Sequence, residues 1–370
     1  MTFYFDYSTM VGWLGTPTGI PRTVYCLAQE LSVLVDNFTL VAIDDNLKSF
    51  HHVELTDKGC VIKEKVDFIN GDVFFSAGAN WAFSCYNAEI KRLKNIGVQY
   101  FQLYYDIIPD LFPYFYKDGA GFGDYIGRWV DETSALCDHS FSISECTKRD
   151  IVSRSRVIGI DMSGMTVVRL GDDFVADPPS FTGRSRYSEG ERFILCVGTL
   201  EIRKNQVALL HAYRILNERH SGSLPKLVLV GRQGWSDGDI IFQVANDRTL
   251  SKLVDVITDA SDIELNWLYT HCLFTLFPAL YEGWGLPVAE SLWHGKPCIS
   301  SNTSSMLEIA PELTLFASPY SVESWVERME SLLFKPGVLA MQTERVKHEY
   351  VPIRWRDTAT TIRDVIFNRV

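Results

Sequence analysis

Residues 277–297 read Phe-Pro-Ala-Leu-Tyr-Glu-Gly-Trp-Gly-Leu-Pro-Val-Ala-Glu-Ser-Leu-Trp-His-Gly-Lys-Pro and form the most informative stretch of the chain. The apolar run just before it predicts a buried strand. Pro287 marks the expected start of a short helix, because the fixed φ of proline suits the first helical position, and Gly295 marks its expected end. The stretch therefore predicts a strand, a glycine-rich loop that contains Glu282, and a helix with Glu290 in its first turn.

The same alternation of strand-like and helix-like segments extends to both sides of this stretch. Short apolar runs separated by longer segments occupy residues 3–5, 38–43, 72–76, 98–103, 140–143, 165–168, 193–197, 226–230, 253–257, 273–277 and 297–300. After the first run, a glycine-rich loop at 12–19 leads into apolar residues spaced three or four apart, which is the pattern of one helix face. Strands that alternate with helices predict mostly parallel sheets covered on both faces.

A segment without periodicity separates these runs into two groups. Residues 171–183 are rich in Pro, Gly and Asp, as linkers between domains are. We therefore predict an α/β fold of two Rossmann-like, doubly wound domains at 1–175 and 185–345 that face each other across a cleft. Residues 346–370 are predicted to form a C-terminal helix that packs back on the first domain. Ligands of such folds bind at the carboxyl ends of the strands, so we expect the site in the cleft.

The composition limits the class of function. The 370 residues carry 35 Lys and Arg against 46 Asp and Glu, and the net charge of −11 argues against nucleic acid, whose binding needs a basic face. No apolar run approaches the roughly 18 residues of a membrane-spanning helix, and the N-terminus lacks the basic start of a signal peptide. The eight cysteines contain no Cys-x-x-Cys metal or redox pair. A cytoplasmic, reducing location is the default expectation.

The helix start near residue 287 is typical of an anion site. The backbone N–H groups of Gly285, Leu286 and Val288 would present partial positive charge there, and glycines let a phosphate come close. A capped surface helix with acidic residues near its start is the alternative interpretation. Two glycines and an upstream carboxylate exceed what a cap requires, which favours a binding function.

A second segment, Val197-Gly-Thr-Leu-Glu-Ile-Arg-Lys-Asn205, places a basic pair just before another expected helix. Arg203 and Lys204 would neutralise a diphosphate there, Arg as a bidentate fork and Lys as a point charge. A solvated helix start is the alternative interpretation. Because the helix dipole disfavours cations at an N-terminus, two of them in this position favour a binding function.

Together these segments resemble the retaining, GT-B-fold glycosyltransferases of family 4, particularly the bacterial mannosyltransferase-like members of surface-polysaccharide pathways. The resemblance depends mainly on the Glu-x7-Glu spacing of Glu282 and Glu290 within LYEGWGLPVAE and on VGTLEIRKN. Individually weaker matches follow in the expected order: TGIPR at 18–22, YDIIP at 105–109, SISECTKRDI at 142–151, VGRQGW at 230–235 and ELNWLY at 264–269. The resemblance implies a GT-B-like fold with an acceptor-side first domain and a nucleotide-sugar donor domain second.

The resemblance also implies roles for particular residues. Glu282 would lie beside the donor sugar, Glu290 would accept hydrogen bonds from the ribose hydroxyls, and Arg203 with Lys204 would hold the diphosphate. The further donor-binding residues that it implies are Gly283, Gly285 and Leu286 against sugar and phosphate, Arg232 near the base, and Gly19 from across the cleft.

Two positions depart from the family pattern. Thr199 stands at a donor-binding position where the family commonly has an Arg, and we infer that Arg203 substitutes for that Arg. Tyr105 stands where a His commonly precedes Asp106. Asp106 is kept as a candidate catalytic carboxylate that orients the acceptor, with a simple N-cap as the alternative.

The expected reaction is the transfer of a sugar from a nucleoside-diphosphate donor to a glycan or lipid-linked oligosaccharide acceptor, with mannose from GDP-mannose as the first hypothesis. No cofactor and no metal are expected, because Asp237-Gly-Asp239, the one Asp-x-Asp pattern, is interpreted as a helix cap. A cytoplasmic location is expected, with peripheral contact to the inner membrane or to other polysaccharide-assembly proteins as a hypothesis; basic residues clustered at 91–94 and 148–156 motivate it. A nucleotide-sugar epimerase and a catalytically silent nucleotide-sugar binder stay open as alternatives.

Other conspicuous residues receive no catalytic role. The glycine-rich Gly119-Ala-Gly-Phe-Gly123 is expected to be a mobile loop, since no buried strand precedes it. His51 and His52 are expected to be exposed, and His294 is expected to sit at a helix end where a cation suits the dipole.

Overall fold

The computed structural model describes residues 1–13, 17–56, 59–117, 119–173, 186–234 and 238–369. The chain divides into two compact units. The first unit comprises Met1–Pro113, Ala120–Gly171 and Ile353–Val370, and the second comprises Tyr114–Gly119 and Asp172–Pro352. Most of the predicted linker at 171–183 lies outside the described residues, as does Asp237.

The first unit is built around one sheet, and helices connect most of its parallel strands. Its strands are β1 (Phe3–Asp6), β2 (Phe38–Asp44), β3 (Ser49–Thr56), β4 (Gly59–Lys65), β5 (Val73–Ser76), β6 (Gln99–Tyr104), β7 (His139–Ser142) and β8 (Thr166–Val167). Its helices are α1 (Ile20–Leu34), α2 (Tyr86–Ile96), α3 (Ile108–Leu111), α4 (Gly119–Leu136), α5 (Glu145–Val157) and, at the end of the chain, α13 (Trp355–Phe367).

The strand order of this sheet is β4-β3-β2-β1-β5-β6-β7-β8. The neighbouring strands β2-β1-β5-β6-β7-β8 are all parallel to each other. Strand β3, in contrast, pairs antiparallel with both β2 and β4. The parallel strands β1 and β5 are buried along their whole length, as expected of strands covered on both faces.

The last helix of the chain belongs to the first unit. Phe367 of α13 stacks on Phe3 of β1, with ring centroids 6.1 Å apart, and Arg356 pairs with Glu30 of α1 at 3.1 Å. Ala359, Ile362 and Ile366 line the buried face of α13. The C-terminal helix therefore contributes a hydrophobic face to the core formed by the start of the chain.

The second unit repeats the strand–helix alternation. Its strands are β9 (Phe193–Val197), β10 (Lys226–Val230), β11 (Val254–Ile257), β12 (Thr275–Phe277), β13 (Cys298–Ser301) and β14 (Leu315–Ala317). Its helices are α6 (Gln206–Arg219), α7 (Gly238–Asn246), α8 (Leu250–Leu253), α9 (Asp262–His271), α10 (Leu286–Trp293), α11 (Val322–Phe334) and α12 (Val338–Glu349). Short 3₁₀ helices occupy Ile202–Lys204 and Ser304–Glu308.

The strand order of the second sheet is β11-β10-β9-β12-β13-β14, and its pairs are parallel. The order reverses at β9, because the chain first proceeds outward to β11 and then returns to β12 on the other side. Such a reversal opens a crevice at the carboxyl ends of the strands, where doubly wound sheets bind ligands. The loops after β9 and β12 are therefore adjacent in space.

Two local predictions were wrong, and two strands were not predicted. The sequence did not predict the antiparallel strands β3 and β4, and His51, expected to be exposed, is buried in β3 with its ring bonded to Ser49 and to the Lys63 carbonyl. The glycine-rich segment 119–123 begins helix α4 and is not a loop. Gly123 is required there, because a Cβ at this position would lie 2.5 Å from the carbonyl oxygen of Pro109.

None of the helices in the described part of the chain combines the length and the apolar character needed to cross a membrane.

Candidate functional site

A charged cluster formed by Glu201, Arg203, Lys204 and Glu282 lies where the loops after β9 and β12 meet. Glu282 forms two ion pairs. Its Oε1 lies 2.5 Å from Lys204 Nζ, and its Oε2 lies 2.7 Å from Arg203 Nη1. Arg203 also reaches Glu201 with Nη2 at 2.8 Å. The structure thus brings together the basic pair and the loop glutamate that the sequence predicted from separate segments.

The charged cluster is largely shielded from solvent. The side chains of its members are between 10% and 16% exposed. Burial acts to raise the pKa of Glu282, but the charges and hydrogen bonds of Arg203 and Lys204 outweigh it, and the pKa lies below its ordinary value. Glu282 is therefore ionised at neutral pH, and the cluster holds two carboxylates and two cations in balance.

Backbone and amide hydrogen bonds join the two loops beneath this cluster. The Leu280 amide donates to the Arg203 carbonyl at 2.8 Å. Asn205 adopts the left-handed conformation, with φ of 56°, and its Nδ2 donates to the carbonyls of Pro278 at 3.1 Å and Pro319 at 3.0 Å. Asn tolerates this conformation better than most residues, so its place in the RKN segment has a structural reason.

A third loop, after β13, supports the loop that carries Glu282. Ser304 Oγ accepts from the Glu282 amide at 2.9 Å, and Ser305 Oγ bonds the carbonyls of Glu282 and Trp284 at 2.8 and 2.6 Å. Sequence reasoning missed Ser304 and Ser305, as it missed Asn205. Serine in a loop carries no distinctive spacing, so only the adjacency of β12 and β13 could identify them.

The start of α10 matches the predicted anion site only in part. Gly285 precedes the helix with φ of 134°, a conformation that favours glycine. The Val288 amide, predicted to be available, donates to the Gly285 carbonyl at 2.9 Å and is wrongly included in the anion site. Within the described ranges, no hydrogen bond is donated by the amides of Gly285 or Leu286, so these two keep the capacity to bind an anion.

Glu290 lies in the second turn of α10, because the helix begins at Leu286, and its predicted place in the first turn was wrong. Its side chain is buried, and Oε2 accepts from the Tyr269 hydroxyl at 2.7 Å. His294 lies at the end of α10, as predicted, but burial lowers its pKa, so the imidazole is neutral near pH 7 and does not supply the cation that would suit the helix dipole.

The loop after β10 lies beside the loop after β9. Leu200 donates from its amide to the Arg232 carbonyl at 2.9 Å. A Cβ on Gly231 would lie 2.0 Å from the Gly198 carbonyl oxygen, so the two loops approach closely because this residue is glycine. The side chain of Arg232 is exposed, and the Thr199 carbonyl accepts from Gln206 Nε2 at 2.9 Å.

Two candidate residues lie in the first unit. Gly19 precedes α1 with φ of 59°. Asp106 Oδ1 accepts a hydrogen bond from the Ile108 amide at 3.0 Å, but the N-cap of α3 is Ile107, so the simple N-cap left open as the alternative was wrong. The preceding Tyr105 is buried, and its hydroxyl donates to the Ala77 carbonyl at 2.6 Å.

The basic clusters considered for membrane contact contain residues that form ion pairs with neighbouring carboxylates. Arg92 pairs with Glu89 at 2.7 Å, and Arg154 pairs with Asp110 at 2.7 Å and with Asp131 at 2.8 Å. These ion pairs lower the net positive charge of the two clusters.

In the described residues, no group of three or more His, Cys, Asp or Glu side chains is placed to hold a metal ion. Asp239 lies in the first turn of α7, where a carboxylate suits the helix dipole.

Comparison with solved structures identifies the class of fold. A sucrose-phosphate synthase from Thermosynechococcus elongatus aligns with a TM-score of 0.68 and 15% identity, over 99% of this chain and 98% of that chain. HepE of Anabaena, solved in complex with UDP and glucose, aligns with a TM-score of 0.67 and 13% identity over the whole of both chains. The protein has the GT-B fold with two Rossmann-like domains, as predicted.

Sequence comparison identifies the family of the second domain. Residues 181–348 match the family described as "Glycosyl transferases group 1". The chain therefore contains a glycosyl transferases group 1 domain, which includes the charged cluster.

Three of the curated relatives are mannosyltransferases of Escherichia coli and Salmonella typhimurium. The O-antigen chain mannosyltransferase B of Escherichia coli is 33% identical over 36% of this chain and 34% of its own length. The serotype-specific mannosyltransferase WbdA of Escherichia coli is 25% identical over 69% of this chain and 32% of its own length. The matches thus span about a third of these relatives. The O-antigen chain mannosyltransferase RfbU of Salmonella typhimurium is 21% identical over 63% of this chain and 62% of its own length.

Proposed function

We propose that the protein is a retaining glycosyltransferase that moves a sugar from a nucleoside-diphosphate donor to a glycan acceptor in bacterial surface-polysaccharide biosynthesis. Mannose from GDP-mannose is the first donor to test, since the relatives named above are mannosyltransferases. The observation that carries the proposal is the pairing of Glu282 with Arg203 and Lys204 inside the group 1 domain.

The charged cluster suits a diphosphate because its two cations are already assembled. Lys204 and Arg203 are held side by side by one carboxylate, so an incoming diphosphate would find two cationic hydrogen-bond donors already in place. The amides of Gly285 and Leu286 at the start of α10 would add partial positive charge. Glu282, Gly283 and Glu290 would then face the sugar and the ribose.

The remaining candidates keep supporting roles in this proposal. Arg232 would lie near the base, because its loop runs beside that of Leu200. Thr199, which precedes Leu200 in the loop after β9, would also contact the donor. Gly19 and Asp106, in the first unit, are proposed for the diphosphate and the acceptor respectively.

The proposed chemistry needs two kinds of stabilisation in the transition state. The departing diphosphate gains negative charge, which Lys204, Arg203 and the helix amides would offset; one such donor is typically worth about 3–4 kcal/mol. The anomeric carbon becomes oxocarbenium-like, and the Glu282 carboxylate, ionised at neutral pH, would favour positive charge beside it. Retention of configuration would leave the phosphate to accept the proton of the acceptor hydroxyl.

The acceptor is proposed to be a growing glycan, free or linked to a lipid. The enzyme would then act in the cytoplasm, and contact with the inner membrane or with other assembly proteins would bring it to a lipid-linked acceptor. Sedimentation with anionic vesicles at low salt tests the membrane contact, and protein that stays in the supernatant contradicts it.

Incubation with candidate nucleotide sugars, with and without an oligosaccharide acceptor, tests the function. Nucleoside diphosphate that appears only with acceptor supports transfer. Conversion of donor without acceptor indicates an epimerase and overturns the proposal. Donor that binds but stays unchanged under both conditions indicates a silent binder and overturns it as well.

A further inference from the structure

The Glu290 carboxylate is held by a side chain that the sequence did not single out. The hydroxyl of Tyr269 on α9 donates to Glu290 Oε2 on α10 at 2.7 Å, and both side chains are buried. Burial and the adjacent Glu290 charge raise the pKa of Tyr269 well above its usual value. The phenol therefore keeps its proton and remains a hydrogen-bond donor at any working pH.

Tyr269 is itself fixed from a second side. Its ring stacks on the imidazole of His294, with centroids 5.0 Å apart and planes inclined by 15°. His294 is bonded at both ring nitrogens, through Nδ1 to the Glu290 carbonyl and through Nε2 to the Asn266 side chain, each at 2.7 Å. These contacts tie α9 to α10 and leave the phenol little freedom to move away from the carboxylate.

We propose that Tyr269 is a positioning residue for Glu290, and that its hydroxyl sets the orientation in which this carboxylate receives the vicinal hydroxyls of a nucleotide ribose. The inference rests on the proposed function, which assigns the ribose to Glu290. A carboxylate offers about four acceptor positions. One bond from a fixed phenol therefore restrains its rotation while leaving acceptor capacity for a diol.

The substitution Tyr269→Phe tests this role, because it keeps the ring and its stack on His294 and removes only the hydroxyl. Glu290 then loses a bond that restrains it, so we expect affinity for GDP to fall about tenfold, as for one hydrogen bond to a charged group. Affinity for 2′,3′-dideoxy-GDP should stay nearly unchanged, because that ligand has no ribose hydroxyls. The ratio of the two affinities is the readout, since a merely loosened fold weakens both ligands alike.

Tyr213→Phe is the matched control. Tyr213 lies on α6 of the same unit and is fully buried, and its hydroxyl has no hydrogen-bond partner among the described residues. Both affinities should stay at their wild-type values in this variant. A double-mutant cycle adds a second control: in a Glu290→Gln background, Tyr269→Phe should cause no further loss of selectivity if it acts through Glu290 alone.

Calorimetric titration of the full chain measures these affinities. A wild-type protein that binds neither GDP nor UDP overturns the proposed function, and the inference with it. If UDP is the ligand that binds, its 2′,3′-dideoxy form replaces that of GDP. If wild type binds the ribose form more tightly than the dideoxy form and Tyr269→Phe keeps the same ratio of affinities, the inference is overturned while the proposed function stands.

A second variant covers the case in which Tyr269→Phe does not fold. Asn266→Ala removes the partner of His294 Nε2 and leaves Tyr269 and Glu290 in place. A selectivity loss of about threefold is expected, because the stack on Tyr269 is loosened and the hydrogen bond is kept. An unchanged ratio in that variant overturns the inference.

Discussion

Glu282→Gln is expected to destabilise the protein by about 3 kcal/mol near pH 7. The side chain of Glu282 is only 10% exposed, and its carboxylate pairs with Arg203 at 2.7 Å and with Lys204 at 2.5 Å. Removing one member of a buried pair costs about 3–5 kcal/mol, because the partner is left buried without its counter-ion. The lower figure applies here, since Arg203 keeps Glu201 and the glutamine amide oxygen still accepts a hydrogen bond.

The pH dependence of this difference has a definite sign. The pKa of Glu282 in the folded protein lies below its ordinary value of 4.5. A carboxylate with a lowered pKa contributes stability above the unfolded pKa, and the contribution is lost as the pH falls through the folded pKa. The gap in stability between wild type and Glu282→Gln should therefore be full near neutrality and narrow as the pH falls below about 4.5.

Thermal unfolding of the two proteins across this pH range measures the gap. A loss of about 3 kcal/mol lowers the unfolding temperature by roughly 6–12 °C in a domain of this size. Glu323→Gln is the matched control, because Glu323 pairs with Arg219 at 3.0 Å while its side chain is 50% exposed, and such a surface pair is worth less than about 1 kcal/mol. The reasoning is refuted if Glu282→Gln is as mild as this control, or if the gap stays constant in acid.

Lys204→Ala should lower turnover about a hundredfold or more, because it removes a donor to the departing diphosphate; the rate of nucleoside-diphosphate release measures this, and a near-normal rate contradicts the assignment. A chelator should leave that rate unchanged, whereas a requirement for added divalent metal would assign a role to Asp239. Burial lowers the pKa of His139 from 6.5 to about 4, so the free energy of unfolding should rise by about 3 kcal/mol as the pH increases from 4 to 6.5. Urea unfolding of wild type and His139→Asn at several pH values measures this rise, and an equal pH dependence of the unfolding free energy in the two proteins refutes it. Gly231→Ala should cost about 2 kcal/mol or more, because its Cβ would meet the Gly198 carbonyl oxygen at 2.0 Å; a wild-type unfolding temperature would show that the loops separate freely.

The parallel strands were the part of the fold that the sequence predicted best, and burial is the reason. The runs at 193–197 and 226–230 coincide with β9 and β10, since a strand covered on both faces is a continuous apolar run. Strands β3 and β4 gave no such signal. Most residues of β4 are exposed. The segment is a strand because it pairs with β3, and this pairing leaves no pattern of apolar residues in the local sequence.

The sequence predicted the residues of the candidate site but not the ion pairs that join them. Glu282 stood out because a carboxylate beside two glycines exceeds what a helix cap requires, and the basic pair stood out because the helix dipole disfavours cations at a helix start. Their ion pairs could not be predicted, since β9 and β12 are neighbours in the sheet but are separated by two other strands in the chain. The roles of Asp106, Gly19 and Arg232 stay predictions that the variants and ligands above can test.

The central position of β9, β12 and β13 in the second sheet has a consequence for how the chain tolerates change. The loops that form and support the charged cluster follow three adjacent strands, so one ladder of backbone hydrogen bonds sets the spacing between Lys204, Glu282 and Ser304. Substitutions in β11 or β14, at the two margins, leave that ladder intact. Related chains can therefore diverge at these margins and in their outer helices while the distances among the charged groups stay the same.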